Sequence, residues 1–289
     1  MFTNRRVVNL MLATTTALGA AAIVSAEPIR LGAAQDQSQA STFSFNFGEL
    51  GGVASATISD TNLAISVDPK LGTAEFVEYK QNIAPLLLPG GFNTGAIRVE
   101  IVPGSSTGLF DGATGVFTTK EQYAIHFEGD LSAFGLTSPV ILESASSGTV
   151  NVLSALDGSV QLDWSGEGEL ANPFDPETAI AFTYTCDVNT AFAPTPEVMV
   201  DIALIPYVSN LSLPRGFANA LLAKLDSASA AIAEGRENLA ARNLNAFVNK
   251  VEARAGHSID VADAAVLIDA AEGTITLLQS SGAKSGGKR

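Results

Sequence analysis

Hydrophobic and polar positions change their period once along this chain, at about Pro214. Before that point the dominant period is two. Phe43, Phe45 and Phe47 alternate with Ser44 and Asn46, which puts three rings on one face of a strand. Similar runs recur at 53–58, 63–67, 76–79, 96–102, 116–127, 150–153, 160–164, 180–186 and 198–205. Turn signals separate them, among them Asp68-Pro69, Pro89-Gly90-Gly91, Asp111-Gly112 and Asp157-Gly158. Short strands punctuated this way predict an all-β sandwich or barrel over residues 42–210. Asp157-Gly158, set between two apolar runs, predicts a hairpin turn.

After Ser212-Leu213-Pro214 the spacing becomes helical. Phe217, Leu221, Leu225, Ala228 and Ile232 form one apolar stripe, and Gly235 supplies a left-handed stop. A second stripe runs through Ala240, Leu244, Phe247, Val248 and Val251 to Gly256. The third takes in Val261, Ala265, Ile268, Ala271, Ile275 and Leu278, with Asp260 as its N-cap. Gly273 within it costs about 1 kcal/mol relative to alanine, which weakens the last turns. Three stripes on short connections predict a small three-helix bundle over 213–279. The Gly-, Ser- and Lys-rich tail 280–289 is expected to be disordered.

Three helical segments carry a family resemblance: Leu221-Leu222-Ala223-Lys224-Leu225-Asp226, the run from Ala240 to Val251, and Ala262-Asp263-Ala264-Ala265-Val266-Leu267-Ile268. Together they resemble the FIMAH-type helical domain that ends many unrelated secreted bacterial proteins. The likeness covers residues 213–279 and departs at Gly256-His257, where the pattern has glycine followed by lysine. It implies secretion and a modular accessory role. It implies no catalytic residue, and it leaves the β domain unidentified.

The N-terminus agrees with export. Arg5 and Arg6 precede an apolar stretch over 7–24, and Val24-Ser25-Ala26 has the small residues that a signal peptidase reads. Residues 1–26 thus read as a signal peptide cut before Glu27, followed by a polar flexible leader at 27–41. No integral membrane segment is expected after cleavage. Cys186 is the only cysteine, so no internal disulfide can form and the fold depends on its core.

Loss of the two signal-peptide arginines takes the net charge from −14 to −16. The charge is uneven. Residues 27–214 hold 22 acidic and 5 basic side chains, whereas 215–289 hold 8 and 9. So acidic a domain repels nucleic acid and anionic membranes.

The chemistry is sparse. Gly104-Ser105-Ser106-Thr107-Gly108 matches G-x-S-x-G, but strand pattern rather than helix follows it, so it reads as a hairpin tip. Segments 118–123 and 172–177 read as loops. His126 lies in a strand, His257 in a helix–helix turn, and neither has a zinc-ligand spacing.

Carboxylates are the plentiful resource. In Asp163-Trp164-Ser165-Gly166-Glu167-Gly168-Glu169, the acids Asp163, Glu167 and Glu169 share one strand face beside the only tryptophan. This segment has three chemical readings besides a solvated strand face: a sugar platform on Trp164, oxygen ligands for calcium, or a carboxylate pair for glycoside hydrolysis. No cofactor motif accompanies them.

The reading is an exported, non-catalytic binding or structural module of the surface, matrix or periplasm, with a protein or polysaccharide partner. A secreted carboxylate-dependent hydrolase acting on polysaccharide is the alternative. A hollow-barrel lipid carrier is a third class.

Overall fold

A computed structural model describes residues 28–48, 51–152, 154–175 and 177–285. The expected signal peptide lies outside the described residues. The strands are β1 (Ile29–Gln35), β2 (Thr42–Asn46), β3 (Val53–Asp68), β4 (Thr73–Ile83), β5 (Ile97–Ile101), β6 (Thr107–Asp111), β7 (Val116–Phe127), β8 (Val140–Val152), β9 (Gly158–Ala171) and β10 (Ala179–Phe192). All pairings between them are antiparallel, in the order β1-β3-β2-β10-β9-β8-β7-β5-β4-β6. A further pairing of β3 with β4 closes the ring, so of sandwich and barrel the chain adopts the barrel. β1 and β2 share one place between β3 and β10. β5 and β6 likewise share one between β4 and β7. Ten strands therefore fill eight places.

A barrel of that girth is either filled by side chains or holds one small ligand. Here aromatic rings occupy it. Phe43 meets Trp164 at 5.5 Å between centroids, Trp164 meets Tyr123 at 4.9 Å, and Tyr123 meets Tyr79 at 5.2 Å. Phe76 and Phe117 continue the series. Trp164 Nε1 donates to the Tyr79 hydroxyl at 3.2 Å, which satisfies a buried donor. The space that a lipid carrier would keep open is taken by these rings. Glycines on the inner face make room for them. Gly166 faces Tyr184, Gly168 faces Phe182, Gly158 faces Phe192 and Gly148 faces Phe117, all as cross-strand register partners. At each position a Cβ would collide with the facing ring.

Several expectations need correction. Residues 29–35, assigned to a flexible leader, form β1, because Ile29, Leu31 and Ala33 bury against the barrel core while the intervening residues face out. Segment 118–123 lies within β7 and is no loop. The Asp157-Gly158 turn is wider than expected: Val152 pairs with Gly158, leaving 153–157 as the connection.

The run 198–205 is helical. It belongs to α1 (Pro196–Val198), a π-helical stretch (Met199–Leu204) and α2 (Ile205–Asn210), which follow one another with helical backbone angles at each join. A continuous apolar run does not by itself distinguish a buried strand from a buried helix. The deciding signals are Thr195, whose hydroxyl accepts from Val198 N at 3.3 Å, and Pro196 at the first turn. Pro206 lacks an N–H and crowds the carbonyl four residues back, and the wider π turn ahead of it accommodates that ring.

Three longer helices complete the chain: α3 (Arg215–Ala233), α4 (Glu237–Glu252) and α5 (Val261–Ser285). Gly235 and Gly256 take positive φ of 67° and 74°, and Asp260 Oδ1 accepts from Ala262 N at 2.8 Å, as their positions predict. The expected disordered tail is helical through Ser285; residues 286–289 lie outside the described residues.

Helix 196–210 joins the two units. Val198 and Ile202 bury in the barrel core, whereas Val200, Leu204 and Val208 bury among Leu221, Leu225, Phe247 and Leu267.

Candidate functional site

The same alternation that gathers Asp163, Glu167 and Glu169 on one face of β9 puts Trp164 on the other. The three acids are exposed on the barrel exterior. Trp164 is 1% exposed inside it. That arrangement corrects the expected sugar platform, since a ring sealed in the core has no face to offer. Register sets Asp163 directly opposite Asp187 on β10. Burial, and then the Asp163 charge, hold the Asp187 carboxyl above its ordinary range. Glu167 and Glu169 flank a shallow open groove with Asn46 and Thr183. Among the described residues, no group of three or more His, Cys, Asp or Glu is arranged to hold a metal ion.

The other sequence candidates are also structural. Ser106 Oγ accepts from Phe76 N at 2.8 Å, and Ser105 Oγ accepts from Gln122 N at 3.0 Å. The expected hairpin tip is instead a link between β5 and β6, which do not pair with each other, and the G-x-S-x-G serines brace that link against β4 and β7. His126 Nε2 stands 3.8 Å from Glu100 on the barrel wall. The Cys186 thiol is buried beside Gln81, and burial pushes its pKa up, which suppresses thiolate chemistry.

A concave site forms instead where the barrel meets the helices. It is a cleft of about 780 Å³, within the size range of small-molecule sites. One wall comes from the β6–β7 turn (Thr114, Gly115) and the end of β8 with its loop (Val150, Asn151, Val152, Ala155). The other comes from the π-helical stretch and α2 (Met199, Ile202, Ala203, Tyr207, Asn210) and from α5 (Val266, Asp269, Ala270).

Three contacts hold these walls apart. Asn210 Nδ2 donates to the Ala113 carbonyl at 3.0 Å, tying α2 to the barrel turn. The Tyr207 hydroxyl donates to Asp263 Oδ1 at 2.9 Å, tying α2 to α5. Burial, then Asp263, raise the Tyr207 pKa and keep that hydroxyl a donor. At the third contact α5 approaches the β8–β9 loop so closely that a Cβ on Gly273 would stand 2.5 Å from Ala155 Cβ.

A second groove, about 530 Å³, lies around Lys70, Leu71, Asp111, Asp201 and Asp226 at the same junction. Ser229 Oγ donates to Asp201 Oδ2 at 3.0 Å, while Oδ1 is without a partner. Burial raises the Asp201 pKa, against the pull of Ser229 and Lys70.

Sequence reasoning did not reach the cleft, because its walls come from positions far apart along the chain. One local signal did exist: Gly273 interrupts an otherwise helical stripe at the point where two units touch. No known family's sequence profile matches this chain, and no curated protein matches it either.

Proposed function

We propose that this chain is an exported, non-catalytic binding or structural module of the cell surface, matrix or periplasm. In this reading the barrel is a rigid platform and the helices are an accessory unit of the FIMAH type. The observation that carries it is the placement of the one tryptophan and the acids of β9 on opposite faces of the barrel wall. Carboxylates dispersed over a convex exterior, with the aromatic rings sealed inside, make a soluble display surface and no enclosed reaction site. The apolar stretch and cleavage motif at the N-terminus support export.

The test is turnover. Mature protein is incubated with a panel of soluble polysaccharides, and new reducing ends are counted. The expected result is no release above background. Sustained release that disappears in Glu167→Gln or Glu169→Gln would overturn the reading.

One observation favours the hydrolase alternative. Residues 167 and 169 lie two apart on an extended strand, about 6.6 Å along its axis. Backbones that close let side-chain rotation bring the two carboxyl groups to the spacing of a glycosidase pair. The same assay decides between the two readings.

A further inference from the structure

The cleft at the barrel–helix junction has an unusual electrostatic character. Between His126 and Arg215 the sequence holds no lysine, arginine or histidine, while it holds 12 acids. That interval supplies β8, β9, β10 and the whole of helix 196–210. Among the described residues, the ion pairs of the barrel lie elsewhere: Arg30 and Lys80 with Glu78, and Arg98 and His126 with Glu100. The basic side chains of the barrel thus all come from residues before 127, and the interval that leads to the cleft supplies acids alone.

The cleft lining repeats that asymmetry. Among the described residues its only charged side chain is Asp269, exposed at the rim on α5. The rest is a mostly apolar wall, with hydroxyl and amide groups of Thr114, Asn151, Tyr207 and Asn210 among Val152, Met199, Ile202 and Val266. Val266 is 48% exposed and Leu156, next to the lining residue Ala155, is 80% exposed, so apolar surface continues to the mouth.

From this we infer that the cleft binds a small cationic amphiphile: an aliphatic or aromatic body against the apolar wall, with a single ammonium group at Asp269. This deepens the binding-module reading and rests on it. An anionic ligand, such as a fatty acid or a phosphate ester, would enter a negative field with no cation to meet it. A neutral amphiphile would fill the wall and forgo the contact with Asp269.

The probes are three eight-carbon compounds differing at the head: octyltrimethylammonium, 1-octanol and octanoate. Each is titrated calorimetrically into the mature protein. The ammonium should bind saturably at one site, about fivefold more tightly than the alcohol, as befits one partly exposed ion pair. Octanoate should bind more weakly than either. Asp269→Asn, an exposed change that leaves the fold alone, should bring the ammonium down to the alcohol's affinity, as should high salt. Ala270→Phe, with its circular dichroism checked against the parent, should remove binding of all three by filling the cleft.

Equal affinity for the three heads, no saturable ammonium binding, or ammonium binding that survives both substitutions would overturn the inference. Polysaccharide turnover is read separately. Turnover without ammonium binding defeats both readings, and absent turnover with absent binding defeats only the ligand assignment.

Discussion

Gly166 and Tyr184 are register partners across β9 and β10, and the tyrosine lies over the glycine where a Cβ would otherwise stand. From there the Tyr184 hydroxyl donates to the Glu143 carbonyl at 3.2 Å on β8. An added methyl has to displace this ring from a filled interior, and overpacking of that kind costs about 1–3 kcal/mol. Gly166→Ala should lower stability by that amount in urea denaturation followed by the emission of Trp164. Gly32→Ala, at an exposed β1 position with open space around its Cβ, should change stability by less than about 0.5 kcal/mol.

Glu121 gives the barrel an inverted response to pH. It is 3% exposed on the inner face of β7, where Ser146 Oγ donates to Oε1 and Oε2 has no partner. Burial holds its carboxyl above the ordinary 4.5, against the smaller opposing pull of the hydroxyls of Ser146, Thr119 and Tyr123. Folding therefore favours the protonated form. The stability this group contributes is full below its unfolded pKa and is lost as pH rises through the raised folded value. Glu121→Gln keeps the acceptor for Ser146 and removes the charge. Its melting temperature should exceed that of the parent by a margin that grows from pH 4.5 toward neutrality, in scans across that interval.

Trp164 should report the interior and nothing outside it. Its emission should be blue, hardly quenched by added iodide, and unchanged by Asp163→Asn, Glu167→Gln and Glu169→Gln together. Polysaccharide additions that shift it would contradict a sealed ring. Trp164→Phe leaves the Tyr79 hydroxyl without its donor and a void in the core, a loss of about 2 kcal/mol by denaturant titration.

Gly273 and Ala155 should be energetically coupled. Replacing a mid-helix glycine by alanine ordinarily gains about 1 kcal/mol. Here the added methyl meets Ala155, so Gly273→Ala alone should destabilise. In an Ala155→Gly background the same change should stabilise by up to about 1 kcal/mol. A double-mutant cycle measured by thermal unfolding checks the sign reversal.

Much of this architecture is legible in residue spacing. Phe43, Phe45 and Phe47 do point together into the barrel, and the stripe of Leu221, Leu225 and Ala228 does face the helical core. Alternation also held the answer for Trp164, since a residue next to Asp163 on a strand must take the opposite face. β1 was hidden by the polar residues after Gln35, although Ile29, Leu31 and Ala33 already alternate. Helix 196–210 was hidden because it is apolar on two sides, one for each core. Apart from Gly273, nothing local foretells the cleft, because Thr114, Val152, Ile202 and Asp269 meet only after four separate segments have folded.

The split place shared by β1 and β2 has a kinetic corollary. β10 is the last strand, and it closes the ring against the first two: Asn189 Nδ2 donates to the Ala40 carbonyl across 149 residues of chain. Closure over such a distance is slow, and it cannot precede synthesis of the whole barrel. Until then β1 and β2 present unpaired edges. If the proposed export holds and the chain is threaded N-terminus first through a narrow channel, it would pass unclosed and complete its ring only on the far side.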